Sequence, residues 1–428
     1  MKKINIGIIG LGTVGSGVVA LLHQNSEMIS RRTNCELTIK SILVNDITRK
    51  REHINEKYLP LITDKESVLF DDIQILVEVM GTIDKARYYI EKALKKGIHV
   101  VTANKDLMAK YGGELLNLAE KYKVSLSFEA SVCGGIPIID MIKTSFQGNR
   151  ISSILGILNG TTNYILTLME EKNVPFKSAL KQAQKLGYAE SNPANDIEGV
   201  DAARKIAILA SMAFNTKVPI EKVHVEGITK VDIQDILYAK DLGYRIKLLG
   251  MAKEKDGFLK VQVNPVFIPL SHPLANINDV YNGVYLEGDF FGPSMVYGLG
   301  AGSFPTASSI VGDIIAASKA IDNKTYSWCT CFRDLKIRDV METHSNFYIR
   351  MTVNDKPGVL ASISSILGSH DVSIYSVVQK KSHEGHAELV IITHKVQEAS
   401  MYDSITVLSS LSVINKIESI IRVEDEEQ

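Results

Sequence analysis

The chain predicts an α/β fold: a Rossmann-type doubly wound parallel sheet, then an α+β mixed-sheet region, then a ferredoxin-like βαββαβ unit. Three observations carry this. A short apolar run over 3–9 (KINIGII) leads through a glycine-rich turn into a helical stretch ending near Ser30. Apolar runs at 37–44, 75–81, 97–104 and 124–130 then alternate with helical stretches, the pattern of a parallel sheet with crossover helices. From Phe347 onward the order strand, helix, strand, strand, helix, strand can be read from FYIRMTVND to VINKIESIIRV.

The first turn is Gly10-Leu11-Gly12-Thr13-Val14-Gly15. It is GxGxxG placed between a strand and a helix, the context that makes the pattern informative. Gly10, Gly12 and Gly15 allow a tight turn and close backbone approach, and the helix start at Thr13 and Val14 offers N–H groups to a pyrophosphate. Those glycines also argue against reading the lysine-led, apolar start as a signal peptide. Sheets of this kind bind ligands beyond the C-terminal ends of their strands, where Gly81, Thr102, Asn104 and Lys105 fall. Asp46, past the second strand, suits the ribose 2′-OH of NAD. Arg49, Lys50 and Arg51 suit the 2′-phosphate of NADP, so the sequence leaves the two cofactors open.

Residues 1–130 form the first expected domain, 131–320 the second, 321–346 a polar connector and 347–428 the third. In the second, FLKVQVNPVFI and GVYLEGDF alternate like antiparallel strands. The run from Asp201 to Phe214 has neither Gly nor Pro and is rich in Ala, Ile and Leu, so it reads as a buried helix. At about 100° per residue, Asp201, Lys205, Ile208 and Met212 share one stripe. Glu190, Asp196 and Glu198 precede it. By itself this pattern fits either an ion pair at a helix start or a functional lysine.

Net charge is −1, from 48 basic and 49 acidic side chains, which gives no footprint for nucleic acid or an acidic membrane. Four cysteines are too few for a disulfide framework, and Cys329-Thr330-Cys331 by itself is not a metal-site spacing. A reducing, cytoplasmic setting is expected.

GLGTVGSG, VTANK (101–105), FEASVCGGIPI (128–138), LNGTTNYIL (158–166), ESNPANDIEGVDAARKIAIL (190–209) and GLGAGSFPTAS (298–308) occur in this order. With these motifs the chain resembles homoserine dehydrogenases over nearly its whole length. The resemblance implies NAD(P)-dependent interconversion of L-homoserine and L-aspartate 4-semialdehyde, in threonine and methionine biosynthesis. It makes Lys205 the catalytic lysine and Lys105 a second lysine beside cofactor and substrate. Glu190 and Asp201 are then substrate carboxylates, with Asp196, Gly187, Tyr188, Gly160 and Thr161 at the pocket. Thr13, Val14, Lys105 and Gly302 become cofactor contacts. Glu129, Val132, Gly134 and Ile136 become a monovalent-cation site (Na+ or K+) using mostly backbone oxygens, where Cys133 replaces the small residue expected. A homodimer or homotetramer is implied.

The stretch DKPGVLASISSIL resembles an ACT domain, a regulatory module of amino-acid metabolism. Asp355, Gly358, Val359 and Leu360 are then the effector turn, with threonine the expected ligand. Its two helices and four strands suggest a self-contained domain whose deletion after about residue 340 leaves a folded enzyme. Two rival readings of the sequence are an aspartate-semialdehyde-type dehydrogenase using Cys133 as nucleophile, and a cofactor-binding sensor without turnover.

Overall fold

The computed structural model describes residues 2–49, 51, 54–383 and 385–424, so Lys50 lies outside the described residues. The chain forms two compact units. The first runs to Ile151 and includes Ala207–Ile220 and Glu287–Asp334; the second comprises Ser152–Ile206, Glu221–Leu286 and the chain from Leu335 onward.

The first unit begins β1 (Lys2–Ile9), α1 (Thr13–Gln24), α2 (Ser26–Thr33), β2 (Cys35–Leu43), β3 (Ile62–Thr63) and α3 (Glu66–Leu69). It continues β4 (Ile75–Glu78), α4 (Ile83–Lys95), β5 (His99–Thr102), α5 (Lys105–Tyr122), β6 (Leu126–Ser127) and α6 (Ile138–Asp140). The sheet order is β3-β2-β1-β4-β5-β6, with parallel pairing throughout. This is a doubly wound sheet with its topological switch between β1 and β4. Fully buried Ile4, Ile6 and Ile8 of β1 form the centre of its core with Ile75 and Val77. The helical stretch expected to Ser30 is divided at Asn25, whose backbone leaves helical geometry (φ −103°, ψ 12°). The run expected at 124–130 is a strand only at Leu126–Ser127, because a 3₁₀ turn, Glu129–Ser131, follows at once.

The second unit starts with β7 (Ile151–Ile157), α7 (Gly160–Lys172), α8 (Phe176–Lys185) and α9 (Ala194–Ile197). The helix expected from Asp201 is α10 (Val200–Ala213); β8 (His224–Val225), α11 (Ile233–Asp241), β9 (Tyr244–Lys255), β10 (Phe258–Pro269) and β11 (Tyr281–Gly288) follow. The chain then returns to the first unit with β12 (Gly292–Leu299) and α12 (Ser303–Asn323). Sequence order suggested that α12 serves the second domain. Instead its Ala307, Ile310, Val311 and Ile314 pack with Ile4, Ile6, Val18 and Val19 in the first core.

The final stretch is β13 (Lys336–Ile337), β14 (His344–Asn354), α13 (Val359–Ser369), β15 (Ile374–His383), β16 (His386–Thr393), β17 (Val396–Gln397), α14 (Glu398–Ser409) and β18 (Ile414–Val423). It has the expected βαββαβ order and its own apolar core, including Phe347, Ile349, Ile363, Leu389 and Met401. It is not isolated by its connector, however. β18 pairs with β10 in parallel (Val266↔Arg422, Phe267↔Val423), giving a continuous order β11-β7-β9-β10-β18-β14-β16-β15.

Charged groups reinforce this seam. Arg350 of β14 donates to Asp235 of α11 at 2.7 Å and to Glu388 at 3.1 Å, and Tyr348 donates to Asp235 at 3.0 Å. Arg422 bonds Glu398 through two nitrogens and Glu226 at 2.8 Å. Burial would raise the Glu226 carboxyl, but His224 and Arg422 pull it down to about 2. Removing the C-terminal region would leave Asp235 and Glu226 without these arginines and uncover Phe267, which stacks on Tyr348 at 4.3 Å. The C-terminal region is therefore not set apart by its connector: its strands continue the sheet of β10.

Candidate active site

The glycine turn has little steric freedom. Gly10 has φ +98°, and a Cβ there would lie 2.6 Å from the Val79 carbonyl oxygen; at Gly15 it would lie 2.2 Å from that of Gly10. Only glycine fits both positions. Helix α1 starts at Thr13 with no side-chain cap, so its leading N–H groups face outward from a surface made close by the missing side chains. Ser303 Oγ donates to the Thr13 carbonyl at 2.7 Å, bringing the start of α12 and its N-cap Gly302 (φ +116°) beside the start of α1. Thr13, Val14 and Gly302 are thus gathered at one place. Gly12, between Gly10 and Gly15, has open space where a Cβ would be, so the turn is a cradle that exposes its backbone to a ligand as a dinucleotide requires.

The other strand ends are more varied. Gly81 lies past β4 with φ +77°. Thr102 is wholly buried: its hydroxyl donates to Glu78 at 2.6 Å and accepts from the Asn104 N–H at 3.0 Å, so its side chain faces inward. Glu78, which the sequence reading did not single out, also accepts from the Met80 N–H at 2.8 Å, and burial raises its carboxyl. Asn104 caps α5 by accepting from the Leu107 N–H at 3.1 Å, which places Lys105 in the first helical turn. Asp46 is exposed. Its Oδ1 accepts from the Thr48 hydroxyl and N–H, bonds that lower its pKa, while Arg51 donates to its carbonyl.

In the second unit, Lys205 is 8% exposed. Its ammonium lies 2.8 Å from Asp201 Oδ2 and donates to the Leu158 carbonyl at 2.7 Å. The helix-start ion pair and the candidate functional lysine are therefore one arrangement. Asn159, which the sequence reading passed over, organises it. Its Nδ2 donates to Asp201 at 2.9 Å and Asp196 at 2.7 Å, while its Oδ1 caps α7 through the Thr162 N–H at 2.9 Å. An Asn directly before Gly-Thr-Thr was the available signal, since Asn favours the N-cap. Asp201 is thus engaged by Lys205 and Asn159, whereas Glu190 is exposed. Gly160 begins α7 against the Val280 carbonyl, which a Cβ would approach to 2.6 Å. Thr161 donates to the Tyr188 carbonyl at 2.6 Å, and Gly187 (φ +78°) turns the chain before Tyr188.

The loop from Glu129 to Ile136 is dense in carbonyl groups, with Cys133 at φ +53° and Gly134 at +26°. The Glu129 carboxylate faces away from any ligand role, accepting from the N–H groups of Ile139 (2.8 Å) and Asp140 (2.7 Å). Burial pushes it up to about 7, as it does Asp313, which accepts from the Glu129 N–H. Of the loop's carbonyls, that of Gly134 accepts from the Ser309 hydroxyl and that of Glu129 from the Val132 N–H at 3.3 Å. Among the described residues no group of three His, Cys, Asp or Glu forms a metal cluster. Nor is any helix long and apolar enough to cross a membrane.

At the C-terminal turn Gly358 (φ +89°) starts α13 without a side-chain cap and with open space where a Cβ would be. Val359 is buried in the local core, Leu360 is exposed, and Asp355 accepts from Gln379.

A doubly wound sheet with this glycine cradle, followed by a mixed-sheet region bearing a buried lysine, defines a nicotinamide-dependent oxidoreductase. Comparison with known proteins narrows the class. The homoserine dehydrogenase family model matches residues 137–315, that for the homoserine dehydrogenase NAD binding domain 10–129, and that for the ACT domain 347–412. The homoserine dehydrogenase of Bacillus subtilis is 40% identical over 99% of both chains. The crystal structure of that from Thiobacillus denitrificans superposes with a TM-score of 0.92, at 36% identity and 99% coverage of each chain. A hyperthermophilic archaeal homoserine dehydrogenase in complex with NADPH gives a TM-score of 0.62 at 29% identity, covering 74% of this chain and 98% of its own. The chain belongs to the homoserine dehydrogenase family.

Proposed function

We propose that the protein interconverts L-homoserine and L-aspartate 4-semialdehyde, in threonine and methionine biosynthesis, with Lys205 transferring the proton. The observation that carries this is the buried Lys205–Asp201 pair at 2.8 Å. Oxidising a primary alcohol requires removal of the hydroxyl proton as hydride leaves the carbon; the nicotinamide, when bound, takes or gives that hydride. Asp201 holds the Lys205 amine in place, and that amine takes the hydroxyl proton in the oxidising direction and returns it to the forming alkoxide in the reverse. Leu158 and Asn159 fix the direction of both groups. Because Asp201 faces Lys205, the substrate ammonium falls to exposed Glu190, with Asp196, Gly160, Thr161, Gly187 and Tyr188 shaping the pocket.

The cradle at Gly10, Gly12, Thr13, Val14, Gly15 and Gly302 takes the pyrophosphate, with Gly81, Thr102 and Lys105 at the neighbouring strand ends. The NADPH held by the archaeal relative supports this class of cofactor. Asp46 suits NAD and Arg51 suits NADP. Neutral carbonyls at Glu129, Val132, Gly134 and Ile136 suit Na+ or K+. Threonine is the proposed effector at Asp355–Leu360, and a cytoplasmic homodimer or homotetramer the proposed state.

The test is NAD(P)H formation from homoserine by wild type and Cys133→Ala, with both cofactors titrated. Turnover in both proteins supports the reading; loss only in the variant would favour a cysteine nucleophile, and none in either a sensor. Because the C-terminal sheet is bonded to the rest of its unit, a point change tests regulation better than truncation. Asp355→Ala should keep its turnover and respond less to threonine. Equal inhibition of both proteins would place the effector elsewhere.

A further inference from the structure

Cys329 and Cys331 have no part in the proposed reaction, yet the first unit holds them in a specific place. Both are free and half-buried, whereas Cys35 and Cys133 are buried. They sit on a strap tied down at both ends. On one side the Ser327 N–H donates to Val124 at 3.2 Å, and its Oγ accepts from the Leu126 N–H at 3.1 Å. On the other, the Arg333 N–H donates to Asn215 at 2.9 Å, and Arg333 bridges Thr216. Between these anchors the chain tightens, with the Phe332 N–H donating to the Thr330 carbonyl at 2.8 Å. That brings the two thiols, one residue apart, into hydrogen-bond contact. Gly113 leaves room beside them, since a Cβ there would meet the Cys329 sulfur at 3.8 Å.

Both sulfurs line a cavity of about 370 Å³, together with Met108 and Leu116 of α5, Ile208 and Met212 of α10, and Lys217. Its walls are mainly apolar, with Lys217 also lining it. Burial, with the Cys329 sulfur as hydrogen-bond acceptor, pushes the Cys331 thiol up to about 12. Cys331 therefore keeps its proton, which leaves it the resolving partner of Cys329 across the cavity wall they share.

We propose that Cys329 and Cys331 are a dithiol modification site, which a low-molecular-weight disulfide oxidises to an intrachain Cys329–Cys331 bond at this cavity. The Cys329 thiolate attacks one sulfur of the reagent; the reagent's S–S bond breaks, one thiolate leaves and a mixed disulfide forms. Cys331 then loses its proton to solvent and attacks the Cys329 sulfur, releasing the second reagent thiol. Two protein thiols give up two protons and two electrons, and the reagent disulfide is reduced to two thiols. Contact between the sulfurs makes the second step intramolecular and fast relative to a second attack from solution. The closed ring stiffens the strap joining the β6 edge to the end of α10.

The test is treatment of the full-length native protein with oxidised glutathione, followed by alkylation under denaturing conditions and peptide mass mapping. The expected product lacks two hydrogens in the peptide carrying both cysteines, has no glutathione attached, and leaves Cys35 and Cys133 alkylated. Dithiothreitol should reverse it. Cys331→Ser should hold a stable glutathione adduct on Cys329, because the resolving thiol is gone. Stable glutathione adducts on the wild-type pair, cross-linked chains, or an unmodified pair would each overturn the proposal. The wild-type map alone decides, should the variant fold poorly.

Discussion

Lys205 and Lys247 are two buried lysines of the same unit, and both reach toward the start of α7. Their surroundings are opposite. Lys205 faces a carboxylate, Asp201, and the carbonyl just ahead of the helix. Lys247, 1% exposed on β9, donates to neutral acceptors: Asn163 Oδ1 at 2.9 Å, Asn278 Oδ1 at 3.1 Å and the Ile277 carbonyl. Burial pushes Lys247 down to about 7. Neutral acceptors do not offset the cost of burying an ammonium, so Lys247 can become neutral near physiological pH. The first arrangement suits proton exchange with a substrate. The second suits fixing structure, because Lys247 clamps the 277–278 loop to the first turn of α7.

The change that should break this contrast most severely is Asp201→Ala. It leaves the Lys205 ammonium buried without its carboxylate, and breaking such a pair costs about 3–5 kcal/mol. Denaturant unfolding should show that loss, with activity falling alongside because Lys205 is no longer aimed; unchanged stability would mean that the pair is solvated. Lys247→Ala should cost less, about 1–3 kcal/mol in all, because the loss of a donor to its acceptors is partly offset by removing an amine that is costly to bury. Its effect on homoserine turnover should appear mainly in KM, through Gly160 and Thr161. A fall in kcat with KM unchanged would instead give Lys247 a part in the chemistry.

A third effect is a pH dependence. The Lys247 pKa is about 7 in the folded chain against an ordinary 10.5. Between these values the unfolded chain binds the extra proton, so this residue's contribution to stability rises with pH across that window. Below it both states are protonated and the cost of burying the charge is fully present. Lys247→Met should lack this rise when unfolding is compared at the two ends of the window. Parallel curves for the two proteins would contradict the assignment.

Both lysines were legible in the same way, as lone charges in otherwise apolar elements, yet only Lys205 was singled out. KIAIL on a helix stood out beside its acidic approach. YRIKLLGMA on a strand did not, because alternating patterns tolerate a lysine on a solvent face, and β9 turned out to be buried over most of its length. The glycine cradle was readable because its constraint is local: Gly10 and Gly15 are demanded by atoms in their own turn and the adjacent strand. The position of α12 and the β10–β18 pairing were not readable, since both join residues more than 150 positions apart. Nothing in VINKIESIIRV names the edge it will meet. Asn159 was hidden because its capping role is visible in sequence, while its bonds to Asp196 and Asp201 depend on folding.

The central claim is that Lys205 handles the proton and does not merely hold the fold. The direct measurement is a single-turnover rate of homoserine oxidation by Lys205→Ala, with cofactor and homoserine binding measured separately on the same protein. The account predicts nearly unchanged binding of cofactor and a chemical step slower by about 10²–10⁴-fold, the usual contribution of a general acid–base group. A variant that binds normally and keeps half the wild-type rate would contradict it.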